Sequence, residues 1–144
     1  MEKAVLVQFL RQRQMPIPEG ISGVRRLLVI DDDPALLRTT ERQLKVHAPE
    51  VTVMSAEGAI DGLLKIGTFR PDAVLLDAYM PAMNGIEVCQ RIREAPETAH
   101  ILVVAITGRP SVHVASALVE AGAIACLEKP LDPKLLLEAL SLDR

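Results

Sequence analysis

Four groups of polar residues stand where short apolar runs stop. Asp31-Asp32-Asp33 follow the run 27–30, Asp77 follows 73–76, Thr107 follows 101–106, and Lys129 lies just past 124–127. Three adjacent carboxylates and a fourth from elsewhere would repel one another strongly if gathered in a partly buried site. A hard divalent cation relieves that repulsion. Mg²⁺ suits the set, since it takes one or two carboxylates with a carbonyl and waters. With a cation present, an anionic carboxylate can act as nucleophile towards an anionic phosphoryl donor. Thr107 offers a hydroxyl to a phosphoryl oxygen, and Lys129 a point charge to another. The chemistry this set fits is transfer of a phosphoryl group to an aspartate, leaving an acyl phosphate.

The rest of the chain must bring these groups to one place. The apolar runs 27–30, 51–54, 73–76, 101–106 and 124–127 are short, continuous and rich in branched residues, the pattern of strands buried on both faces. Helical patterns separate them. Residues 34–46 place Leu37, Thr40 and Leu44 on one face, with Asp33 as N-cap and Pro34 in the first turn. Residues 56–66 follow the second strand, and 84–94 carry Ile86, Val88 and Ile92. Residues 111–121 carry Val112, Ala115, Leu118 and Val119 and stop at Gly122. Residues 132–142 open on Asp132-Pro133. Strict alternation with short loops predicts a parallel sheet with right-handed crossovers and helices on both faces. Ligands in such sheets bind beyond the carboxyl ends of the strands, which is where all four polar groups stand.

Composition narrows the class. A hydrophobic share of 49 % against 24 % charged residues is that of a soluble globular protein, and 2 % aromatics make the core aliphatic. The 144 residues suffice for one domain. A net charge of −3 argues against non-specific nucleic-acid binding. No apolar run reaches membrane-spanning length, and the N-terminus lacks a signal-peptide layout. Cys89 and Cys126 share no metal-ligand spacing and read as packing residues in a reducing, cytoplasmic compartment. Met80, Met83 and Leu131 read as packing residues, and Pro81 and Gly85 as loop geometry. His47, His100 and His113 share neither spacing nor acidic partners. Residues 1–24 read as a helix over 3–14, closed by Pro16 and Pro18, and a linker; residues 25–144 are the domain.

The stretches LLVIDDDP, AVLLDAYMPAMNG, VVAITG and GAIACLEKP, in this order and spacing, resemble the receiver domain of two-component response regulators, the chemotaxis-regulator-like fold, from about Val24 onward. The resemblance implies a flavodoxin-like (βα)5 three-layer sandwich with strand order 2-1-3-4-5, here with an N-terminal helical extension. It implies that Asp77 accepts the phosphoryl group and that Asp31 and Asp32 hold Mg²⁺, Asp32 as the more direct ligand. Tyr79 would offer its backbone carbonyl to the metal, and Thr107 and Lys129 would bind phosphoryl oxygens across a cis Lys129–Pro130 bond. The implied donor is a histidine kinase or phosphotransfer protein, with a further protein downstream, a homodimer as one mode of assembly, and no membrane or direct nucleic-acid contact. Such a domain assists its own phosphotransfer and dephosphorylation and is otherwise no enzyme. The alternatives are the receiver part of a transcriptional regulator whose DNA-binding domain lies N-terminally, and a degenerate receiver acting as an interaction module.

Several positions depart from the common receiver pattern. Cys126 stands where receivers carry Tyr or Phe, so coupling from Thr107 is expected to run through the backbone of the loop that follows it. Leu131 replaces a Phe. Tyr79 and Arg109, two residues after Asp77 and Thr107, flank the path of the hydrolytic water in receivers, and their bulk predicts a long-lived acyl phosphate. Tyr79 also excludes aspartyl-phosphate phosphatases, which need an Asp there. A nucleotide or flavin site would want a Gly- or Ser/Thr-rich loop in place of Asp31-Asp32-Asp33. The surface formed by the fourth helix, fifth strand and fifth helix, with Ser111, His113, Ser116, Glu120, Lys134 and Glu138, reads as polar and mixed. Residues 5–20 resemble the last helix and tail of small excisionase-like DNA-binding domains.

Overall fold

A computed structural model describes residues 23–81 and 83–142. Strands and helices alternate: β1 (Arg26–Asp31), α1 (Pro34–His47), β2 (Thr52–Glu57), α2 (Ala59–Phe69), β3 (Ala73–Asp77), α3 (Gly85–Glu94), β4 (Leu102–Thr107), α4 (Val112–Glu120), β5 (Ala125–Glu128) and α5 (Pro133–Leu142). All strand pairings are parallel, in the order β2-β1-β3-β4-β5, which is the flavodoxin-like arrangement. The helix and linker expected over residues 1–24 lie outside the described residues, apart from the last two.

Alternate residues of each strand feed two separate cores. Leu28, Ile30, Val74, Leu76, Val103 and Ala105 meet Ile66 of α2, Val88 and Ile92 of α3 and Leu118 of α4. Leu27, Val29, Leu75, Val104, Ile106 and Leu127 meet Leu37 and Leu44 of α1 and Leu136 and Leu140 of α5. Each fully buried Leu or Ile contributes about 2–3 kcal/mol from burial, so an aliphatic core supports the domain with almost no aromatic residues. Cys89 and Cys126 are free and buried, and Met80, Met83 and Leu131 pack where expected.

Local chemistry fixes the loops that carry the polar rim. Asp33, Asn84, Ser111 and Asp132 each accept a backbone N–H in the first turn of the helix that follows, from Ala35, Glu87, Val114 and Lys134 at 2.9–3.1 Å. Such caps each stabilise a helix start by about 1 kcal/mol. At the other end of α4 the chain turns through Gly122 at φ 119°, and the Ala123 N–H returns to the Leu118 carbonyl at 2.9 Å. That left-handed stop needs glycine.

Three expectations need correction. The second strand runs on to Glu57, so α2 begins at Ala59 and not at residue 56; the turn between them sits on Gly58, with φ 98°. β2 is an edge strand with exposed residues on both faces, not a strand buried on both. The Lys65 ammonium donates to its Ser55 carbonyl at 2.8 Å, which occupies one of its backbone groups. On α4 Ala115 and Leu118 are buried against the sheet with Val114 packed beside them, while Val112 and Val119 are exposed. The α4–β5–α5 surface is therefore less polar than the sequence suggests.

Candidate functional site

The carboxyl ends of β1, β3, β4 and β5 form one rim, and the predicted residues meet there. Asp31 ends β1 and Asp77 ends β3; both side chains are buried, while Asp32 one residue on is exposed. One carboxylate oxygen of each of the three lies within 4.8 Å of the others. Lys129 reaches this cluster from just beyond β5. Its Nζ lies 3.2 Å from Asp31 Oδ2 and 3.4 Å from Asp77 Oδ2, across a cis Lys129–Pro130 bond.

The two buried carboxylates are also held by backbone N–H groups. The Asp33 N–H donates to Asp31 Oδ1 at 3.0 Å, and the Tyr79 N–H donates to Asp77 Oδ1 at 3.2 Å. Burial, followed by the Asp31 charge, pushes the Asp77 carboxyl from 3.8 up to about 6, although the Tyr79 N–H and Lys129 pull it down. Burial works against the Lys129 charge, but Asp77 and Asp31 outweigh it and its pKa is raised. One ammonium thus fails to offset two buried carboxylates, and an exposed third adds to the charge.

That imbalance is the test of whether a cation belongs here. Hard oxygen ligands converge on one point, and the charge they leave uncompensated is what a divalent ion neutralises. The donor set fits Mg²⁺.

Thr107, ending β4, is 2 % exposed. Its Oγ1 accepts the Arg109 N–H at 2.9 Å, so the hydroxyl proton remains available. Arg109 in turn lays its guanidinium over the Tyr79 ring, 5.9 Å from the centroid. The pair bridges the loops after β3 and β4. Cys126 is not at the rim. It lies behind Thr107 beside a small crevice that Pro110, Ser111 and Ala115 also line, and burial raises its thiol to about 11.

Two features were not singled out for chemistry by sequence reasoning. Gly85 opens α3 directly against the loop after β3: a Cβ there would stand 2.9 Å from both the Asp77 carbonyl oxygen and the Ala78 Cα. Its signal was the glycine after Asn84, read only as loop geometry. A shallow cleft between α1 and the loop after β5 also opens beside the rim. Asp31 and Lys129 line it together with Leu36, Thr39, Gln43 and Leu131; no linear motif announces it.

Comparison with known proteins gives a consistent answer. A family model described as the response regulator receiver domain matches residues 27–141. The response regulator MprA of Mycobacterium ulcerans (strain Agy99) is 39 % identical over 105 residues, covering 73 % of this chain and 44 % of that protein. MprA of Mycobacterium avium (strain 104) is 38 % identical over the same shares. The chain thus spans less than half the length of these relatives. Among solved structures, the signal receiver domain of a DNA binding response regulator (merR) from Colwellia psychrerythraea 34H has a TM-score of 0.76 and 33 % identity, covering 81 % of this chain and 94 % of that one. A CheY-like response regulator receiver domain protein from Methanospirillum hungatei JF-1 gives 0.73 and 30 %, over 84 % and 95 %.

Proposed function

Because the chain belongs to the response regulator receiver family, we propose that Asp77 accepts a phosphoryl group from a histidine kinase or phosphotransfer protein and that the acyl phosphate shifts the conformation of the domain. The observation that carries this reading is the Lys129 ammonium bonded to Asp31 and Asp77 together, at 3.2 and 3.4 Å, within a cluster of three carboxylates.

The Tyr79 N–H fixes the plane of the Asp77 carboxylate, so one oxygen can present a lone pair in line with the donor. An O–P bond forms to phosphorus as the P–N bond of the phosphohistidine breaks. The bonding pair stays on the imidazole, which takes a proton from solvent. Lys129 leaves its carboxylate partners for a phosphoryl oxygen, and the Thr107 hydroxyl turns its proton towards another. Asp31, Asp32, Asp77 and the Tyr79 carbonyl are the groups that would hold Mg²⁺, whose charge offsets that of the nucleophile and the entering phosphoryl group. The cleft beside α1 leads to Asp31 and Lys129 and offers the donor an apolar contact at Leu36 and Leu131.

With Cys126 behind Thr107, no ring is present at that position to turn inward when Thr107 moves. The readout therefore runs through the backbone of residues 107–111 and the Ser111 cap of α4, a population shift and not a new fold. Beryllofluoride with Mg²⁺, an acyl-phosphate mimic, tests both points. Amide resonances of residues 107–111 and 128–131 should shift in the wild type and stay fixed in Asp77→Ala. Shifts confined to other regions, or equal in both proteins, would contradict the reading.

A further inference from the structure

Strand β2 is the longer of the two sheet edges. It runs for six residues, against four for β5 at the opposite edge, and a long open edge is a template for another strand. In a parallel pair, alternate residues turn both backbone groups towards the neighbouring strand. The Thr52 N–H donates to the Arg25 carbonyl at 2.8 Å and the Gly58 N–H to the Asp31 carbonyl at 3.0 Å, so residues 52, 54, 56 and 58 face β1. Val53, Ser55 and Glu57 therefore turn their backbone groups outwards.

Helix α2 meets this edge with two side chains. Asp61 Oδ2 accepts the Glu57 N–H at 3.1 Å, and Lys65 Nζ donates to the Ser55 carbonyl at 2.8 Å. The two stand at i and i+4 and pair with each other at 3.2 Å. Such a pair ordinarily supports its own helix; here each member also holds a backbone group of β2, one a donor and the other an acceptor. Among the described residues the Val53 N–H and carbonyl, the Ser55 N–H and the Glu57 carbonyl stay unpaired.

The outward groups are complementary to themselves. A twofold axis at Ser55 would lay two β2 strands antiparallel, with Ser55 opposite Ser55 and Val53 opposite Glu57, and each opposed pair would exchange N–H and carbonyl. Asp61 and Lys65 withdraw the Glu57 N–H and the Ser55 carbonyl from that ladder. Only the bonds from each Val53 N–H to the Glu57 carbonyl opposite would remain.

We propose that Asp61 and Lys65 lock the β2 edge against a second copy of this chain, and that releasing them joins two sheets antiparallel through Ser55. The lock does not depend on what Asp77 accepts.

Amide exchange by NMR together with sedimentation velocity on the full chain tests it, comparing wild type with Lys65→Arg, Lys65→Ala and Asp61→Ala/Lys65→Ala over a range of concentrations. In the wild type and in Lys65→Arg, the Val53 and Ser55 amides should exchange fast at every concentration. In the double variant they should slow at least about tenfold as concentration rises, in step with a doubling of mass. Lys65→Ala keeps the Asp61 contact and should slow the same amides to a smaller extent, so its result stands even if the double variant misfolds. Variants in which these amides exchange as in the wild type would overturn the proposal, as would association that leaves them unprotected. Wild-type Val53 and Ser55 amides that already slow with concentration would show an edge that is not locked, and would overturn it as well.

Discussion

Replacing Asp77 by Asn removes the charge that the metal-free site tolerates least. The folded carboxyl titrates at about 6 against an ordinary 3.8, so the folded protein holds this proton more tightly than the unfolded chain does. The corresponding stability is complete below about 3.8 and is lost as pH rises through about 6. At pH 7.5 without divalent ions the ionised group therefore weakens the fold by about 3 kcal/mol. Asparagine keeps an acceptor for the Tyr79 N–H, but its amide nitrogen would face the Lys129 ammonium, which now sits 3.4 Å from Asp77 Oδ2. Losing that contact costs about 1 kcal/mol, which leaves a net gain of about 1–2 kcal/mol and a rise in Tm of about 3–8 °C. Urea denaturation in EDTA at pH 7.5 and pH 4.5 measures the difference. Asp77→Asn should be the more stable protein at pH 7.5, with the gap shrinking towards pH 4.5, and Mg²⁺ should narrow it at pH 7.5. A variant no more stable than wild type at pH 7.5, or a gap independent of pH, would show that the buried Asp77 charge does not weaken the fold.

Asp32 is the exposed carboxylate of the cluster, so Asp32→Asn should weaken Mg²⁺ binding about tenfold or more with little change in Tm; isothermal titration against Asp33→Asn as control checks this. Tyr79→Ala/Arg109→Ala removes the stacked pair over the rim and should shorten the acyl-phosphate lifetime, read from loss of phosphoryl mass over time; an unchanged lifetime would leave the pair without that role. Gly85→Ala would press a Cβ to 2.9 Å from the Asp77 carbonyl and should lower stability by about 1–3 kcal/mol while slowing phosphorylation, and a silent substitution would show that the acceptor loop yields.

The polar rim was legible because its residues stand at or within two positions of the end of an apolar run, and parallel topology places such positions side by side whatever their separation along the chain. Lys129 and Asp31 are 98 residues apart and still pair. Helix starts with a capping side chain, at Asp33, Asn84, Ser111 and Asp132, were legible as well. The start of α2 was not, because Gly58 caps it without any side-chain bond and residues 55–57 suit strand and helix alike. The exposure of β2 depends on its place at the sheet edge, which no local pattern encodes. Val112 and Val119 share an apolar spacing with Ala115 and Leu118, and only packing decides which pair faces the sheet. The Arg109–Tyr79 stack and the close approach of Gly85 are relations between loops, invisible until the strands are in order.

Intact mass spectrometry shows whether Asp77 takes the phosphoryl group. After incubation with acetyl phosphate and Mg²⁺, the wild type should gain the mass of one phosphoryl group, lose it on treatment with hydroxylamine, and gain none when EDTA replaces Mg²⁺. Asp77→Ala should gain nothing under any condition. A wild type that stays at its unmodified mass, or an Asp77→Ala variant that gains the phosphoryl group equally, would show that Asp77 is not the acceptor.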